Sequence, residues 1–157
     1  MPITYHIDRA AGILFVFADG MITQAERIGA MRAWMSDEGY RPGLKTMCDF
    51  SAAITVPSSD ELMQLVTFVE DNATRIGHKK LAVVTAMPLG SAVARQFRAL
   101  TAAGPLEVGV FRNRHEARAW LHQAGVSGRT PGSYPPDTTR SNRGSDAAGA
   151  ESSSHVR

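Results

Sequence analysis

The sequence lacks almost every means of covalent or metal stapling: Cys48 is its only cysteine among 157 residues. No intramolecular disulfide is possible, and a metal site built from cysteines is excluded. The histidines His6, His78, His115, His122 and His155 show no ligand spacing such as i, i+4 on one helix, so neither a metal nor another cofactor is expected. Long hydrophobic runs are missing too. Nothing approaches the roughly 18 consecutive apolar residues needed to cross a bilayer. The early apolar stretch from Ile13 to Ala18 has no basic segment before it and ends at Asp19-Gly20, so residues 1–20 do not read as a signal peptide. The expectation is a cytoplasmic protein with no membrane span. Charge of one sign is also scarce: 17 Lys and Arg stand against 15 Asp and Glu. A nucleic-acid binder usually carries a larger excess or a basic stripe, and no nucleic-acid partner is expected.

What is present is a regular alternation of elements. Ile3 to Ile7 alternates apolar with polar, as an edge strand does, and Ile13 to Phe17 is continuously apolar, as a central strand does. The short connection over Asp8 to Gly12 makes these two a hairpin. Thr23 and Glu26 have the capping-box spacing, opening a helix with Ile28, Met31 and Met35 on its inner face, ended by Gly39 and Pro42. Leu44 to Phe50 is a third strand. Ser58 and Glu61 form a second box, followed by the clearest apolar face in the chain: Leu62, Leu65, Val66, Val69, Ala73 and Ile76, stopped by Gly77. Leu81 to Ala86 is a fourth strand. A third helix follows, with Leu89, Val93, Phe97 and Leu100 inward, and Leu106 to Phe111 is a fifth strand. A final helix carries Ala117, Trp120, Leu121 and Ala124 inward. The order ββαβαβαβα predicts an α/β domain on a mixed five-stranded sheet over residues 1–124. Residues 125–157 are rich in Gly, Pro and Ser and contain no Leu, Ile or Phe, so they are expected to form a disordered C-terminal tail.

Three stretches carry a family likeness: Phe17-Ala18-Asp19-Gly20-Met21-Ile22-Thr23, Leu89 to Phe97, and Val110 to Leu121. On them the chain resembles the SpoIIAA-like proteins, bacterial STAS/SEC14-type domains, over about residues 3–124. The resemblance implies a small regulatory or ligand-binding module and no enzyme. In the related anti-anti-sigma factors a strand ends in Asp-Leu-Ser-Gly, and an Asp-Ser-Ser-Gly some positions later is phosphorylated on its first serine. Asp49-Phe50-Ser51-Ala52 matches the first motif, and Pro57-Ser58-Ser59-Asp60 stands at the place of the second. Ser58 is therefore the position to which phosphorylation carries over. Pro57 and Asp60 depart from the motif, and the other reading of Ser58 is a helix N-cap.

Asp19 and Asp49 lie at the ends of strands, at the edge where α/β sheets bind ligands, and Arg95 lies early in the third helix. The three are candidate ligand-binding residues; the alternative is that the aspartates cap loops and Arg95 pairs with one of them. Arg75, His78, Lys79, Lys80, Arg112, Arg114 and Arg118 read as a solvated rim. Cys48, inside a strand, reads as a small buried hydrophobe. Met31, Met35 and Met63 line either the core or an adaptable apolar groove. Two functions follow as expectations. One is a non-enzymatic STAS-like module that binds a protein partner or forms a homodimer. The other is a domain of SEC14-like character that binds a small apolar or lipid ligand.

Overall fold

The first six residues of Ile13–Gly20 are all apolar, because this strand is buried on both of its faces. The computed structural model describes residues 2–123; the tail expected over 125–157 lies outside the described residues, as does Ala124. Strand β1 (Ile3–Asp8) pairs antiparallel with β2 (Ile13–Gly20), from Ile3 opposite Ala18 to Asp8 opposite Ile13. Asp8 closes the turn twice. Its carbonyl accepts from the Gly12 amide at 2.8 Å and its carboxylate from the Ala11 amide at 2.9 Å. Strands β3 (Lys45–Ala53), β4 (Lys79–Val84) and β5 (Leu106–Phe111) then run parallel to β2 in the order β1-β2-β3-β4-β5. This is the mixed α/β sheet that the sequence predicts.

Helices α1 (Gln24–Met35), α2 (Ser59–Asp71), α3 (Ala73–Ile76) and α4 (Pro88–Leu100) connect the parallel strands, and α5 (Arg114–His122) follows the last one. Side chains alternate across a strand, so β2 divides its residues between two cores. Leu14 and Val16 pack with Trp34, Met35, Val69, Ile76 and Ala94 of the first four helices. Ile13 and Phe15 pack on the other side with Ala117 and Leu121 of α5. Both expected capping boxes form: the Thr23 hydroxyl accepts from the Glu26 amide and the Ser58 hydroxyl from the Glu61 amide, while each glutamate accepts from its cap residue's own amide.

Four local expectations are corrected. The helix expected to run on to Ile76 breaks at Asn72, whose side-chain amide donates to the Phe68 carbonyl at 2.8 Å and competes with the helical ladder. Strand β4 begins at Lys79, two residues before the apolar run at Leu81. In α4, Leu89 and Leu100 are 60% and 39% exposed; each sits at an end of the helix, and Ala94 is the residue that reaches the core. Trp120 faces the α5 core as expected but is only half-buried there, lying beside Phe111 with 5.4 Å between ring centroids. Gly109 makes room for that pair, since a β-carbon there would stand 2.7 Å from the Phe111 ring and 3.2 Å from Trp120.

Candidate functional site

The packing of α1, α2 and α4 on the sheet does not close. A cavity of about 180 Å³ remains between the helices and the strands. The sheet lines it with Val16, Cys48 and Val83, and the helices line it with Trp34, Val69 and Phe97. Small residues leave the space. Cys48 and Ala94 stand where larger apolar side chains would fill it, and Gly90 lets α4 approach so closely that a β-carbon would collide with the Thr85 hydroxyl. Of the three methionines weighed in the sequence, Met31 and Met35 line the cavity, and Met63 is 49% exposed on α2.

The two ends of the cavity differ chemically. Toward the end of the sheet at which the parallel strands finish, its walls are Ile22, Ala53, Val56 and Met87. Toward the end at which β3 and β4 begin, they include Tyr40, Thr46 and Lys79. The Lys79 ammonium donates to the Thr46 hydroxyl at 3.0 Å and lies 5.7 Å from the Tyr40 ring centroid. The Thr46 hydroxyl in turn donates a hydrogen bond to the Leu44 carbonyl at 3.1 Å. Burial pushes the Lys79 ammonium down to about 8, and pushes the adjacent Cys48 thiol up to about 12. The Tyr40 hydroxyl is out of solvent and has no hydrogen-bond partner among the described residues. Burial raises its pKa, against the pull of Arg75. Arg27 also lines the cavity, but it faces Glu61 at 3.9 Å.

The alternation of the strand explains why Lys79 and Lys80 part company. Lys79 turns to the cavity, and Lys80 turns to the other face, where its ammonium donates to the Trp120 and Gln123 carbonyls at 3.1 and 2.9 Å. A cation at the C-terminal end of α5 is the favourable sign for the helix dipole. Neither lysine belongs to a solvated rim. The available signal was their position: two consecutive residues just ahead of a buried strand must point to opposite faces.

Asp49 occupies that same α5 face and is 2% exposed. Its carboxylate accepts from the Ser51 amide, the Ser51 hydroxyl and the Arg114 guanidinium of α5. Burial alone would raise its pKa, yet these hydrogen bonds and the Arg114 charge hold it below the usual carboxylate value. Arg114 lies 5.0 Å above the Phe17 ring and Arg118 lies 5.3 Å above Phe15, so the two arginines cover sheet surface that α5 does not reach. The structure therefore gives Asp49 a partner outside the expected set. Asp19 is exposed at the end of β2. Arg95 is exposed on α4, which packs on the opposite face from Asp49. The three are not brought together. Ser58 is exposed, and its hydroxyl is engaged as the α2 cap at 3.2 Å from the Glu61 amide.

No family model matches the sequence, and no curated protein does. A solved structure does match: the chain is similar to an uncharacterised protein of the DUF3478 family with a SpoIIAA-like fold from Shewanella loihica PV-4, with a TM-score of 0.52 and 15% identity over 76% of this chain and 93% of that one. The fold is SpoIIAA-like. In this SpoIIAA-like domain the cavity and the Asp49–Arg114 pair lie on opposite faces of the sheet, the first under α1, α2 and α4 and the second on the face that α5 covers. No helix among the described residues is long and apolar enough to cross a membrane.

Proposed function

We propose that the domain is a non-enzymatic binding module that takes a small apolar ligand into the cavity between the sheet and α1, α2 and α4. The observation that carries this reading is the cavity of about 180 Å³, preformed and lined almost wholly by apolar side chains. A dry apolar cavity of roughly 150 Å³ is already enough to admit benzene. Leaving such a space empty is costly: at roughly 24 cal/mol per Å³, it amounts to about 4 kcal/mol of forgone packing. The Cys48 thiol, held neutral by burial, supports a binding role over a nucleophilic one. Asp49 is similarly committed to Ser51 and Arg114. The reading is tested by the thermal midpoint of the full chain with and without 1-octanol. A saturable rise of several degrees is expected, lost in Ala94→Leu, which fills the cavity from α4. A midpoint that does not rise in the native chain contradicts it.

A second reading, docking of a protein partner or of a second copy, is favoured by one apolar patch. Met21 and Ile54 are 71% and 65% exposed. They are held side by side, because the Ile54 amide donates to the Gly20 carbonyl at 2.9 Å. Sedimentation of the native chain beside Met21→Ser with Ile54→Ser separates this reading from the first.

A further inference from the structure

Lys79 is a half-buried cation without a countercharge among the described residues. Neither of the two ion pairs among the described residues includes it, and the residues lining the cavity contain two cations, Arg27 and Lys79, but no carboxylate. Arg27 has Glu61, whereas Lys79 has a neutral hydroxyl. An ammonium carries three donors, and one of them is used on Thr46. The Tyr40 hydroxyl, a further donor, is buried beside it with nothing to accept its proton. Arg75, whose guanidinium donates to the Met35 carbonyl at 3.0 Å, adds positive charge near Tyr40. Buried polar groups in native proteins are rarely left unpaired, and a buried charge is paired or shifts its protonation. One end of an otherwise apolar cavity thus offers net positive charge and more donors than the Thr46 hydroxyl can match.

We infer that the occupant of the cavity is a single-chain carboxylate, whose head accepts from the Lys79 ammonium and the Tyr40 hydroxyl while its hydrocarbon chain lies among Val16, Cys48, Val69 and Phe97. The inference rests on the binding role proposed above and adds the chemistry of the head group. The volume favours a medium-length chain: about 180 Å³ holds one such chain and not the two of a phospholipid. The apolar end of the cavity, at Ile22, Val56 and Met87, receives the far end of the chain. Thr46 holds the ammonium in place from the other side by accepting one of its protons.

The test is calorimetric titration of the full chain with octanoate, 1-octanol and octylamine at pH 7. Octanoate is expected to bind at least tenfold more tightly than 1-octanol, and octylamine more weakly than either. In Lys79→Met, which keeps the stem and removes the charge, octanoate and 1-octanol are expected to bind alike. Tyr40→Phe is expected to weaken octanoate several-fold and to leave 1-octanol unchanged. Equal binding of octanoate and 1-octanol to the native chain overturns the head-group assignment and leaves the apolar cavity standing. Retention of the octanoate preference in Lys79→Met overturns it as well. If none of the three probes binds, the proposed binding role itself fails.

Discussion

Lys79 and Cys48 both line the cavity, and burial moves their titrations in opposite directions. The unfolded lysine holds its proton to about the ordinary lysine value of 10.5, whereas the folded one releases it at about 8. Between those values the unfolded chain binds more protons, so Lys79 makes stability rise with pH. Cys48 does the reverse: it keeps its proton to about 12 when folded and loses it near 9 when unfolded, so stability falls across that interval. The two slopes oppose each other from 9 to 10.5. The expected profile rises between pH 8 and 9 by about 1 kcal/mol, levels off, and falls above 10.5, where the raised Tyr40 adds to the descent. Urea midpoints of the native chain and of Lys79→Met across this range check it. The variant is expected to show no rise and to begin falling near 9. Superimposable profiles would mean that the Lys79 ammonium is solvated.

At the scale of single elements, helix starts are the most legible feature and helix faces are less so. Thr23 with Glu26 and Ser58 with Glu61 announce α1 and α2, because a hydroxyl and a carboxylate three residues apart satisfy amides that a helix leaves unpaired. Ser58→Ala is accordingly expected to cost about 1 kcal/mol, and Ser58→Asp, which keeps an acceptor at the cap, only a few tenths. Chemical denaturation of the two variants decides the matter. A neutral Ser58→Ala would mean that the hydroxyl is not holding the helix and is at liberty for other chemistry. The faces were harder to read. In α1 Met31 and Met35 face inward as the spacing suggests, but Ile28 joins none of the described cores, and the spacing passes over Trp34, which reaches the core beside Met35 and meets the Tyr5 ring edge-on at 6.3 Å. In α4 the full apolar stripe from Leu89 to Leu100 exceeds the part that the sheet covers. Periodicity records what is apolar along a helix, and only the neighbouring elements decide how much of it is buried.

For the molecule as a whole, the order of strands and helices was readable because β2 and most of β4 are apolar runs and most connections carry glycine or proline. That much fixed a mixed α/β sheet, and the likeness of fold to the DUF3478 structure agrees with it. The site was not readable in the same way. Lys79 lies 33 residues beyond Thr46 on a different strand, Tyr40 is in the loop ahead of β3, and none has a motif around it. The cavity itself is a property of how three helices fall short of filling one face, which no window of sequence contains. Asp49 was recognisable as special, but its partner Arg114 lies 65 residues away on the last helix. The central proposal is that the space under α1, α2 and α4 is a ligand site. The most direct measurement is a methyl-resolved magnetic resonance titration of the full chain with 1-octanol. The expected result is saturable shifts of Val16, Leu62, Val69 and Val83, which line the cavity, with Val84 and Leu121 on the α5 face unmoved. Shifts that spread equally over both faces, or cavity methyls that do not respond, would contradict it.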